Sequence, residues 1–155
     1  MYARQNDKAL EQAKKTYDLD PDFRFGSSWL GQSYVNNGKH DEAIALAEKV
    51  LQASPTAQDI LGVAGQAHAK LGHRREAEQY IYRLRELAKT QYVRSYYIAN
   101  IYAALGDKGR AFAELENSIA EHDWYSPRMK VDPLLEPLRD DPRFKEMLKR
   151  MNLPE

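Results

Sequence analysis

Cysteine is absent from the 155 residues, so neither a disulfide framework nor a thiolate metal site can form. That absence suits a reducing compartment, and the cytoplasm is the expected location. Charge of one sign is also lacking: 23 Lys+Arg face 23 Asp+Glu, leaving no long-range field to draw a polyanion or an anionic lipid surface. Direct nucleic-acid binding is therefore not expected. No apolar run approaches the length that spans a bilayer, and the opening MYARQNDKAL has neither the basic flank nor the apolar stretch of a signal peptide. A soluble, unexported chain with no membrane contact is expected. Missing too are a Ser, His and Asp set, a nucleophile-elbow glycine pattern and a Gly-rich phosphate loop, so neither catalysis nor a cofactor is expected.

What is present is a repeated frame. GKHDEA begins at Gly38, GHRREA at Gly72 and GDKGRA at Gly106, each start 34 residues after the last. The alanine of the frame recurs as Ala9, Ala43, Ala77 and Ala111, which adds a partial copy at the beginning. Constant spacing means a repeated structural unit. Before each glycine, apolar or ring-bearing residues fall three and four apart: Trp29, Leu30 and Tyr34; Leu61, Ala64 and His68; Ile98, Ile101, Tyr102 and Leu105. After each glycine the pattern resumes in Ala43, Ile44, Ala47, Val50 and Leu51; in Ala77, Ile81 and Leu84; and in Ala111, Leu115 and Ile119. Each unit therefore reads as helix, turn, helix, with one face of each helix buried.

Local roles follow from the same frame. The glycines suit the left-handed residue that ends a first helix, and Asp41 is placed to cap a second. Gly31, Gly65 and Ala99, seven before the turn glycines, should let the paired antiparallel helices approach closely. Tyr34, His68 and Tyr102 should fill the space beside them. Pro21 and Pro55 close two units, since proline cannot continue a helix interior.

Leu30-Gly31, Tyr34, Gly38, Ala43 and Pro55 together resemble the tetratricopeptide repeat. Later units depart from it, with Ala64 and Ile98 in the leucine position, His68 in a tyrosine position, and Lys89 and Asp123 in place of the closing proline. The resemblance implies an all-α, right-handed superhelix of antiparallel helix pairs. The expected divisions are a partial unit at 1–21, mostly a second helix; full units at 22–55, 56–89 and 90–123; and a linker with a capping helix at 124–155. In that last segment Asp141 and Pro142 read as cap and first helical residue, and Phe144, Met147, Leu148 and Met151 form one apolar stripe. Such a helix should cover the open end of the array. At the other end only MYAR is left for a first helix, so the stripe Ala9, Leu10, Ala13 and Tyr17 is expected to be uncovered and to favour a homodimer through this end.

The resemblance also implies an interaction scaffold whose first helices line a concave groove for a partner protein or peptide, or for another domain of the parent chain. Registration with the family puts Phe25, Ser28, Gln32, Asn36, Asp59, Gln66, Lys70, Tyr96 and Asn100 in that groove. The set is amide-rich and aromatic, which suits the backbone of a bound segment and an anchoring ring. Only Lys70 in it is basic, so capture of an acidic C-terminus is not expected. VDPLLEPLRDDPRF resembles the ending of repeat regions that many bacterial proteins carry beside winged-helix, kinase or cyclase domains. By that resemblance the chain is the C-terminal adaptor or sensor region of a larger signalling or transcriptional regulator. An oligomerisation module, or a small-molecule sensor beside the six tyrosines between Tyr80 and Tyr102, are the alternatives.

Three stretches invite other chemistry and have plainer readings. Asp18, Asp20 and Asp22 alternate as in a calcium loop, but Phe23 and Trp29 stand where its glycine and closing carboxylate belong, so turn or capping roles are expected and no metal. His68 and His73 are five apart across a helix end, and His68 fills a tyrosine position, which suggests packing. The arginines of HRREAEQYIYRLRE interleave with glutamates, as on a solvated helix.

Overall fold

The computed structural model describes residues 2–21 and 23–153, and the side chains of all of these except residues 2–4 and 24. Regular structure among them is entirely helical. The α-helices are α1 (Tyr2–Leu19), α2 (Arg24–Asn36), α3 (His40–Ala53), α4 (Gln58–Lys70), α5 (Arg74–Ala88), α6 (Ser95–Ala104), α7 (Lys108–Ala120) and α8 (Pro142–Arg150). Two 3-10 helices, Ser126–Lys130 and Pro133–Leu138, lie between α7 and α8.

The turns follow the frame. Gly38, Gly72 and Gly106 have φ of 72°, 79° and 77°, the left-handed region that glycine enters without a Cβ penalty. The next residue in each turn donates its N–H to the carbonyl five positions back: Lys39 to Tyr34, His73 to His68 and Asp107 to Tyr102, each at 2.9 Å. This is the bond that satisfies a free carbonyl at a helix end. α1 and α3 stop at Leu19 and Ala53, two residues before Pro21 and Pro55. Capping differs from expectation. The cap of α3 is Lys39, which forms no side-chain cap bond, and Asp41 lies within the first turn. At the equivalent position of α7, Asp107 does cap, its Oδ1 accepting the Arg110 N–H at 3.0 Å. The capping side chain must directly follow the glycine, and the frame puts Lys39, His73 and Asp107 there.

Through α5 each helix packs on its successor, α6 packs on α7, and α2 also packs on α4 and α4 on α6 to form an inner row. That row explains the small residues differently from the sequence reading. A Cβ at Gly31 would stand 2.9 Å from Val63 Cγ1, and one at Gly65 would overlap Ile101 Cδ1. The glycines therefore seat the next unit's first helix. Gly65 also meets its own antiparallel partner, a Cβ there falling 3.1 Å from Tyr80 Cβ.

The two ends are finished in different ways. Leu10 and Ala13 are buried in a cluster with Leu30 and flanked by Tyr17 and Tyr34, so α2 covers the stripe expected to be open. Of its four residues only Ala9 is exposed. At the far end α8 buries Phe144, Met147 and Leu148 in the main core. Arg150 grips Glu116 of α7 through both guanidinium nitrogens at 2.9 and 2.6 Å, and the Arg143 guanidinium lies 4.1 Å from the Phe112 ring centre. Each fully buried Phe, Met or Leu contributes roughly 1.5–3 kcal/mol relative to exposure, so the stripe outweighs the surface ion pair.

Candidate functional site

The inner row is partly covered by the chain itself. After α7 the backbone turns through His122, whose φ is 52°, and the following segment returns across α6. Tyr96 of α6 is fully buried, and its hydroxyl donates to Asp132 Oδ2 at 2.9 Å. Asp132 also accepts the Leu134 N–H at 3.0 Å and so starts the second 3-10 helix. Leu134 reaches Val35 of α2 and Val63 and Ala67 of α4, while Leu135 and Leu138 join the main core. The segment thus lies along the row in the manner of a bound peptide. Burial, and then the Asp132 charge, raises the Tyr96 pKa, so the phenol stays a neutral donor.

Of the nine groove residues named from the sequence, the structure places three deep inside. Gln66, Tyr96 and Asn100 are buried and present nothing to a partner. Gln66 Oε1 and Asn100 Oδ1, 34 positions apart on equivalent turns, accept no hydrogen bond among the described residues. Gln32 and Asn36 remain half-exposed on α2 and bond to each other at 3.3 Å. Lys70 is exposed at the opposite end of α4, close enough to His40 to lower its pKa after burial has done so.

The other three meet. Phe25, Ser28 and Asp59 line one cleft of about 570 Å³ at the N-terminal ends of the inner helices, with Phe23, Trp29, Arg94, Tyr97, Trp124, Tyr125 and Arg128. Trp29, read from its spacing as a core residue, is 54% exposed here, and Trp124 is 71% exposed. The neighbouring Leu30 takes the core position instead.

The floor and one wall of the cleft are tightly fixed. A Cβ at Gly62 would lie 3.2 Å from Tyr97 Cβ, so glycine lets Tyr97 rest against α4. Burial, then the nearby Asp59 charge, pushes the Tyr97 hydroxyl up to about 12. Arg94 Nε bonds the buried Asp123 Oδ1 at 3.2 Å, and its backbone N–H donates to Gln58 Oε1 at 2.9 Å. The Arg94 guanidinium lies 5.2 Å from the Trp124 ring centre and 5.6 Å from that of Tyr125. The Trp124 and Tyr125 rings meet edge to face at 4.9 Å. On the other side of Tyr125, Arg128 donates to its hydroxyl at 2.6 Å.

The remaining candidates are structural. His68 stacks on Tyr80 with centroids 5.6 Å apart, and its Nδ1 lies 3.4 Å from that of His73. Burial, then His73, lowers the His68 pKa. On α5, Arg74 pairs with Glu78, Arg83 reaches the Pro55 carbonyl and Arg85 crosses to Glu114 of α7. Asp22 of the aspartate string lies outside the described residues.

Residues 34–96 match the family model for the tetratricopeptide repeat. The left-handed turn glycines and the stacked helix pairs carry the same helix–turn–helix arrangement beyond that stretch. Residues 34–96 are similar to tetratricopeptide repeats. Tetratricopeptide repeats are protein–protein interaction scaffolds, and the helix pairs form the repeat's superhelix. No curated protein and no solved structure matches the chain. No helix among the described residues is long and apolar enough to cross a membrane.

Proposed function

We propose that this repeat array is an adaptor whose inner row is closed along its middle by its own tail and which receives a partner polypeptide at the aromatic cleft. The observation that carries this reading is the gathering of Phe23, Phe25, Trp29 and Trp124, all large and exposed, around one concavity. Exposed apolar groups clustered in a concave, polar-rimmed surface are characteristic of binding sites. Rings on short, fixed side chains give large contact at low entropy cost.

The partner is a separate protein or another domain of the parent polypeptide. The resemblance of the tail to regulator endings supports a role as the C-terminal adaptor or sensor region of a larger bacterial signalling or transcriptional regulator, working in the cytoplasm. Nucleic acid is not the ligand in this reading, since the chain has no net charge and Asp59 faces the cleft.

A photo-crosslinking amino acid placed at Trp29 or Trp124, and as a control at exposed Tyr82 on α5, tests the proposal in cells of a bacterial host. The expected result is one discrete protein adduct from the two cleft positions and none from Tyr82. Equal labelling from all three positions contradicts it. Adducts to a second copy of the chain point instead to an oligomerisation module.

A further inference from the structure

The two sides of the cleft differ in how their charges are satisfied. On the tail side each guanidinium is already placed: Arg94 against Asp123 and the Trp124 ring, Arg128 against Tyr125 with its charge 4.5 Å from the ring centre. These contacts show the rings of this cleft accommodating planar cations. On the side of α2 and α4, Asp59 is only 8% exposed and lines the cleft, yet its carboxylate forms no ion pair among the described residues. Its one hydrogen bond is from the Ile60 N–H to Oδ1 at 3.1 Å. Asp59 stands in the first turn of α4, where the helix dipole favours a negative charge. Trp29, half exposed and lining the same cleft, carries no cation among the described residues.

We propose that this side of the cleft takes a basic side chain, arginine or lysine, of the partner polypeptide. Its cation sits on Asp59 and its stem or guanidinium plane lies against Trp29. The proposal rests on the cleft being the docking surface. The chemistry is that of a desolvated carboxylate completed by an incoming cation, with a ring face adding to the attraction. A phosphate-bearing ligand is opposed by the same carboxylate.

The chain has two tryptophans, and both line the cleft, so its tryptophan emission reports on this surface. A random dodecapeptide phage library is panned against the full chain, and selected peptides lacking tryptophan are titrated by emission. The expected result is that selected peptides share an arginine or lysine, and that citrulline or norleucine in its place weakens binding at least tenfold. Asp59→Asn should impose the same loss on the basic peptide and none on the neutral one. If Asp59→Asn fails to melt cooperatively, Trp29→Leu serves as the second variant, with an expected loss of several-fold.

Peptides that shift the emission without a basic residue, or that tolerate citrulline, overturn the cation proposal and leave the docking surface standing. Peptides that bind without disturbing either tryptophan, or a library from which nothing is enriched, overturn both.

Discussion

Tyr96 and Asp132 meet out of water, 36 positions apart, with the phenol donating to the carboxylate at 2.9 Å. This bond ties the returning tail to the third inner helix. Tyr96→Phe leaves a buried carboxylate oxygen without its donor, which costs about 1–3 kcal/mol. Thermal melting should fall accordingly, and amide exchange should rise over 131–139 more than over α2 or α3.

Gly65 is the tightest point of the stack, where a Cβ would overlap Ile101 and crowd Tyr80. Gly65→Ala forces α6 or α5 to shift and is expected to destabilise by roughly 1–3 kcal/mol. Gly109, in the first turn of α7, where a Cβ would meet only Asp107 Oδ1 at an ordinary 3.8 Å, is the matched control. Gly109→Ala should be neutral or stabilising by up to about 1 kcal/mol. Denaturant melts of the two variants check the contrast.

Asp141 caps α8, accepting the Arg143 N–H at 3.0 Å and two guanidinium bonds at 2.9 and 2.8 Å. The Arg143 bonds hold its carboxyl at about 2, against an ordinary value of 3.8. A carboxylate whose folded pKa lies below its unfolded one stabilises the fold fully above the unfolded value. That contribution is lost as pH falls from about 3.8 toward 2. Amide exchange in α8 should therefore rise in this window, and Asp141→Asn should abolish that dependence.

Gln66 holds a buried carbonyl oxygen that accepts nothing within the described structure. Gln66→Met keeps much of the volume and removes the unpaired oxygen, so stability should hold within about 1 kcal/mol or improve. The groove expectation for Gln66 demands loss of partner binding instead, so melting and binding measured on one variant separate the two roles.

The helices, their partners and their turns were legible because a fixed spacing repeats the same local physics. Gly38, Gly72 and Gly106 share one φ requirement, and Ala43, Ala77 and Ala111 share one buried position. The capping stripe of α8 was legible for the same reason. What the period could not carry is whatever occurs once. Trp124 and Asp132 lie in a segment with no repeat to register them, so neither the cleft wall nor the burial of Tyr96 follows from the spacing. Trp29 shows the same limit within the repeat. Its spacing fits a core face, but Leu30 fills that position and the indole turns outward.

The central claim is that a partner occupies the aromatic cleft while the tail stays in place along the inner row. Hydrogen–deuterium exchange of the full chain, with and without a peptide selected on it, tests this most directly. The account predicts slower exchange around 23–29 and 124–128, with 131–139 unchanged. Faster exchange over 131–139 on peptide addition, with new protection in α4 and α6, would contradict it, because the partner would then have displaced the tail from the row it covers.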